Sequence, residues 1–163
     1  MSEQPQQVQI GKPVPDFRLP ADSGEEISLS QFRGRKVVLY FYPKDSTPAC
    51  TQEACDFRDL AQAYGEYGAE VLGISGDSVK SHERFAMKQG LNFPLLSDES
   101  HEVCRKFGVW QLKKMYGREF EGIVRSTFLI DEEGKLLREW RGVKVKGHAE
   151  QVLEALREAD TVK

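Results

Sequence analysis

The 163-residue sequence predicts an α/β fold: a central mixed β-sheet flanked by helices on both faces, with a β-hairpin added at the amino terminus. Three observations predict it. Short β-branched and apolar runs alternate along the chain with amphipathic helical patterns, the rhythm of strands joined by crossover helices. The run from Val37 to Tyr42 is apolar at every position, so this strand must be covered on both sides. Near the carboxyl end a turn signal, Asp131 to Gly134, joins two strand-like segments, which makes that part of the sheet antiparallel. A chain of this length with 39% hydrophobic and 30% charged residues can bury about two thirds of its unfolded surface around one core. Residues 1–163 are therefore expected to form a single domain, with the Gln-rich stretch Met1 to Gln9 as a flexible tail.

The elements follow in order. Asp16 to Leu19 and Glu25 to Leu29, joined across Ala21-Asp-Ser-Gly24, predict an irregular hairpin, and Ser30 to Gly34 a short turn. Lys36 to Tyr42 is the buried central strand. Thr47 offers a side chain that caps free amides and Pro48 suits a first helical position, where no N–H is needed, so a helix starts there and runs to about Tyr64, before Gly65. Strand Glu70 to Ile74, helix Val79 to Lys88, strand Pro94 to Leu96 and helix Glu99 to Phe107 continue the alternation, Gly90 and Gly108 ending the two helices. Trp110 to Glu121 is polar and basic and reads as a loop. Strands Arg125 to Ile130 and Lys135 to Arg141 form the terminal hairpin, and a helix from about His148 to Ala159 puts Val152, Leu153 and Leu156 on one face. Right-handed crossovers and this order suit a thioredoxin-like core. Fold alone does not fix activity.

Composition excludes several functions. Twenty-three Lys plus Arg against 26 Asp plus Glu give a net charge of −3, with no overall attraction to nucleic acid or anionic lipid. The longest apolar run is far short of the roughly 18 residues of a membrane span. The amino-terminal stretch lacks the basic and apolar regions of a secretory signal, so a cytoplasmic protein is expected. Three cysteines, Cys50, Cys55 and Cys104, are too few for a disulfide scaffold, and they point to chemistry instead.

If Pro48 is the first helical residue, Cys50 is the third, within the turn whose amides lack carbonyl partners. The positive end of the helix dipole favours a thiolate there, and the thiolate is the nucleophile. A small buried cysteine at a helix start is the plainer alternative. The neighbours decide between them: Pro43-x-x-x-Thr47-x-x-Cys50 after a buried strand resembles the active-site signature of the peroxiredoxins. The longer run Phe41-Tyr-Pro-Lys-Asp-Ser-Thr-Pro-Ala-Cys-Thr-Gln-Glu-Ala-Cys-Asp-Phe-Arg-Asp59 carries the likeness further, with Val71 to Ser75, Leu95 to Asp98, Phe107 to Trp110 and Ser126 to Asp131. Together these segments resemble the bacterioferritin comigratory protein subfamily, also called peroxiredoxin Q, over about residues 10 to 160. Ala49 departs from the glycine more usual there, a methyl group that a helical position tolerates.

The resemblance implies a thiol-dependent peroxidase that reduces hydrogen peroxide and organic hydroperoxides without cofactor or metal. Cys50 is then the peroxidatic cysteine, which becomes a sulfenic acid. Thr47 bonds the peroxide oxygen, Pro43 shields the thiolate from water, and Arg125 supplies a cation. Cys55 resolves the sulfenic acid into an intramolecular disulfide, and thioredoxin or a related dithiol recycles it. A monomer is expected, with no nucleic-acid or membrane partner.

Plainer readings stand beside these: Thr47 as a cap alone, Pro43 as the end of a strand, Arg125 as a solvated strand-end arginine. Glu53, one turn after Cys50, could orient Arg125 by a bidentate pair. Cys104, beside Val103 and Phe107, reads as packing, and His82, His101 and His148 as surface residues. Arg105, Lys106, Lys113, Lys114 and Arg118 read as a solvated basic face. A zinc site from Cys50, Cys55, Cys104 and His101 lacks a C-x-x-C pair, and a helix turns residues 50 and 55 about 140° apart. A general thiol-disulfide oxidoreductase would place its second cysteine two positions earlier. A catalytically silent binding module of the same fold is the non-enzyme alternative.

Overall fold

The computed structural model describes residues 8–161. Of the tail expected over Met1 to Gln9, residues 1–7 lie outside the described residues, and Val8 packs half-buried against the core. β1 (Arg18–Pro20) and β2 (Glu26–Ser28) form the expected hairpin, followed by a 3₁₀ turn at Leu29–Phe32. The remaining elements are β3 (Lys36–Phe41), α1 (Pro48–Glu66), β4 (Ala69–Ser75), α2 (Val79–Gln89), β5 (Leu95–Ser97), α3 (Glu102–Lys106), β6 (Trp110–Met115), β7 (Arg118–Ile123), β8 (Ser126–Ile130), β9 (Leu136–Arg141) and α4 (His148–Thr161). Five strands make the mixed sheet in the order β5-β4-β3-β8-β9; β3, β4 and β5 are parallel, while β8 and β9 run antiparallel. The first hairpin closes the β5 edge: Ala21 bridges to Leu96, and Asp22 exchanges hydrogen bonds with the Leu95 backbone at 2.9 and 3.0 Å.

The central strand explains the layers. Successive residues of β3 face opposite sides, and both sides are buried. Val38 and Tyr40 join Phe57 and Tyr64 of α1, Phe85 of α2 and Val152 and Leu156 of α4 in one core. Val37, Leu39 and Phe41 join Val103 and Phe107 of α3, Phe128 of β8 and Phe17 in the other. Cys50 belongs to the first core and Cys104 to the second, so the sheet stands between them.

Three expectations are corrected. Trp110 to Glu121 is not a loop: β6 and β7 form a two-stranded antiparallel ribbon whose turn, Tyr116-Gly117, has positive φ at both residues (52° and 76°), as a tight primed turn requires. The helix expected from Glu99 begins at Glu102, because His101 adopts a left-handed conformation (φ 62°). Asp98 caps it instead, its carboxylate accepting from the Val103 and Cys104 amides at 3.3 and 2.8 Å. The histidines are not all on the surface, since His82 and His148 are buried and hydrogen-bonded within the fold.

Candidate active site

Strand register builds the site. β3 and β8 are paired so that Phe41 lies opposite Ser126, which brings Arg125, the residue before β8, beside the loop that leaves β3. That loop runs from Tyr42 to Thr47 and delivers the chain to α1, with Cys50 as the third helical residue. The Arg125 side chain fills the space between them. Its Nη2 donates to Cys50 Sγ at 3.3 Å and its Nη1 to Glu53 Oε1 at 2.6 Å. Cys50 is 2% exposed and the Glu53 side chain likewise 2%, so this cation, thiol and carboxyl meet almost out of water.

Burial opposes the Arg125 charge, yet Glu53 and the Cys50 sulfur outweigh it and hold the guanidinium above its ordinary value. Burial pushes the Glu53 carboxyl up to about 7, against the pull of Arg125. The pair expected to be bidentate makes one bond: Glu53 Oε2 has no hydrogen-bond partner among the described residues. The Tyr40 hydroxyl, in the same core as Cys50, has none either.

Thr47 occupies the N-cap position of α1, but its hydroxyl does not cap; it donates to the Lys44 carbonyl at 2.9 Å and closes the loop on itself. Pro43 is exposed and lines a cleft of about 390 Å³ with Trp110, Lys113, Phe120 and Ile123. The ammonium of Lys113 donates to the Ile123 carbonyl at 3.0 Å; burial and then Arg125 lower its proton affinity, while the Cys50 charge raises it. Lys113 is thus half-buried within the electrostatic reach of the thiol, unlike the solvated residue expected. Cys55 is half-buried, and its thiol donates to Gln89 Oε1 at 3.6 Å. Burial pushes the Cys104 thiol far above its ordinary range, as packing requires.

Sequence reasoning missed what holds the loop. The Asp45 carboxylate is buried, and it accepts from Tyr42 Oη at 2.5 Å and Ser81 Oγ at 2.8 Å and meets His82 Nδ1 at 2.7 Å. The Asp45 amide donates to Asp77 Oδ2 at 2.8 Å, and His82 Nε2 faces the Leu96 carbonyl at 3.0 Å. Asp45, Asp77 and His82 bring ligand atoms within 4.8 Å of one another, in a cluster already knitted by hydrogen bonds. The signal was available: His82 sits on the apolar stripe of α2 with Phe85 and Ala86, so it had to point inward.

A buried thiol at a helix start, bonded by a guanidinium from the neighbouring strand of a mixed sheet, is an arrangement suited to cysteine redox chemistry. The chain belongs to the AhpC/TSA family, which it matches over residues 10–138. Within it, the chain is 50% identical over 151 residues to the Peroxiredoxin Bcp of Bacillus subtilis strain 168, covering 93% of this chain and 96% of that one. The crystal structure of a cysteine-to-serine mutant of Xylella fastidiosa peroxiredoxin Q matches with a TM-score of 0.90 at 40% identity, over 95% of this chain and 99% of the other. A Xanthomonas campestris bacterioferritin comigratory protein, studied for alkyl peroxide reduction, matches at a TM-score of 0.87 and 45% identity, over 93% and 99% of the two chains. The enzyme is accordingly a peroxiredoxin of the Bcp and peroxiredoxin Q group, a peroxidase that reduces hydroperoxides at the expense of thiols. No helix among the described residues is long and apolar enough to cross a membrane.

Proposed function

We propose that Cys50 is the peroxidatic nucleophile and Cys55 its resolving partner, in a cycle completed by thioredoxin or a similar dithiol. The observation that carries this reading is the 3.3 Å contact from Arg125 Nη2 to Cys50 Sγ, held in place by the 2.6 Å bond to Glu53. The Cys50 thiolate attacks one peroxide oxygen; the sulfur–oxygen bond forms as the O–O bond breaks, and the other oxygen takes a proton and leaves as water or an alcohol. Charge grows on the leaving oxygen, and fixed donors aimed at it lower the barrier. Arg125 is one such donor. The Thr47 hydroxyl, turned from the Lys44 carbonyl toward substrate, is a second, and Pro43 limits water at the sulfur. The Cys55 sulfur then attacks the Cys50 sulfenic acid, forming the disulfide and releasing water.

The cleft between Pro43 and the β6–β7 ribbon has Trp110, Phe120 and Ile123 on its walls, which suits the carbon tail of an organic hydroperoxide as well as hydrogen peroxide. The reading needs no metal or cofactor, and it describes a single-domain cytoplasmic monomer without nucleic-acid or membrane partners. Cys50→Ser should abolish turnover, because a serine hydroxyl is a far weaker nucleophile at neutral pH. Peroxide consumption by the purified variant above a trace level would overturn the assignment.

A further inference from the structure

The resolving half of this cycle has a charged neighbour with no role so far. Arg58 lies three residues after Cys55 on α1, so the two side chains share a helix face. That face packs on the carboxyl end of α2. The Cys55 thiol donates to Gln89 Oε1 at 3.6 Å, and Arg58 Nη1 donates to the carbonyl of the same residue at 2.6 Å. Asp59 accepts from Arg58 Nε at 3.0 Å, so the guanidinium is held between Gln89 and Asp59 despite its partial exposure, while Asn92 Nδ2 donates to the main-chain carbonyl of Arg58 at 3.3 Å.

α2 ends at Gln89, with Gly90 left-handed behind it (φ 60°), and the Gln89 carbonyl, at the negative end of the helix dipole, is the one that Arg58 meets. Arg58 sets a positive charge against the same helix end. Its own proton is held above the ordinary value by the hydrogen bond to Asp59 and then by the Cys55 charge, so cation and sulfur sense each other.

We infer that Arg58 is the positioning cation of the resolving step, doing for Cys55 on the α2 side what Arg125 does for Cys50 on the β8 side. The inference rests on Cys55 being the resolving cysteine. In that step Cys55 gives up its proton, its sulfur attacks the sulfur of the Cys50 sulfenic acid, the S–S bond forms, the S–O bond breaks, and the departing hydroxide takes a proton to leave as water. Arg58 eases the first of these events. A purely structural Arg58 would act in the opposite sense, because cutting its tie to Gln89 would loosen α1 and speed any unwinding that disulfide closure needs.

The test compares wild type, Arg58→Met, Arg58→Lys and Cys55→Ser by stopped flow, following first the reaction of Cys50 with hydrogen peroxide and then closure of the disulfide. The peroxide step should stay within about twofold of wild type in both Arg58 variants, which also verifies their fold. Closure in Arg58→Met should slow by about threefold or more, the smaller thiolate fraction being partly offset by a more nucleophilic sulfur. Arg58→Lys should recover most of that rate, and over-oxidised Cys50 should accumulate at lower peroxide in Arg58→Met. Closure in Arg58→Met at the wild-type rate or faster, or slowing that lysine does not relieve, overturns the inference while Cys55 stands as the resolver. A disulfide that still closes within the chain in Cys55→Ser removes the resolver itself, and the role of Arg58 with it.

Discussion

Arg125 meets Cys50 across 75 residues of sequence, and nothing local in the chain announces the encounter. Sheet register creates it: the residue before β8 falls beside the loop that follows β3. An arginine at a strand end is ordinarily solvated, so residue-level reasoning needed the family resemblance to single it out. Cys50 was legible as a candidate without that help, because Thr47-Pro48 marks the helix start and places the thiol in its first turn, and the family signature then chose it over a merely buried cysteine. The Asp45–His82 pair was not read, and His82 was placed at the surface, since a hydrogen-bonded pair buried between two elements leaves no spacing in the sequence; an inward-facing histidine on α2 was the one available clue. Arg125→Met keeps much of the stem and removes the cation, and stopped-flow peroxide reduction should slow by about 100-fold, as for loss of one donor in an oxyanion-type site. An unchanged rate would separate Arg125 from the chemistry.

At the scale of the element, the proposed cycle asks two incompatible things of α1. As a regular helix it holds residues 50 and 55 about 8.6 Å apart at Cα, whereas a disulfide spans roughly 4.4 to 6.8 Å. Closing the bridge therefore requires the first turns to leave the helix, which also takes Cys50 away from the free amides of the helix start. Further along, the buried Tyr64 anchors the end of the helix to the core. Hydrogen exchange should rise on oxidation in roughly Pro48 to Leu60 while β3 and β8 stay protected, with Cys55→Ser as the control that cannot close. Equal protection of that segment in the reduced and disulfide forms would contradict the two-state helix. The main elements themselves were legible because their apolar spacing is strong. The β6–β7 ribbon was not: it is exposed on most of both faces, so no inside-outside alternation marks it, and its turn uses Tyr116 where asparagine or aspartate is usual.

Across the whole molecule, the sheet stands between the two sulfurs proposed to react and the third. Cys50 and Cys55 lie on the α1 side, and Cys104 is sealed in the opposite core. The same side carries His148, wedged against Phe57 and Trp140 with Nε2 at 2.8 Å from Thr127 Oγ1. Burial, and then the Arg125 charge, keep its ring from taking a proton, although Gln151 draws the other way. The unfolded chain binds that proton more readily, so the contribution of His148 to stability is full above about pH 6.5 and is lost as pH falls below it. Urea midpoints measured from pH 7.5 to 5 should fall more steeply for wild type than for His148→Asn; parallel slopes would remove His148 as the cause.

Mass spectrometry of the reduced protein after one equivalent of hydrogen peroxide tests the central claim most directly. The account predicts a loss of two hydrogens, a single peptide cross-link between Cys50 and Cys55, and Cys104 still alkylatable as a thiol once the protein is unfolded. A bridge from Cys50 to Cys104, or Cys50 left as an oxidised acid beside a free Cys55, would contradict it.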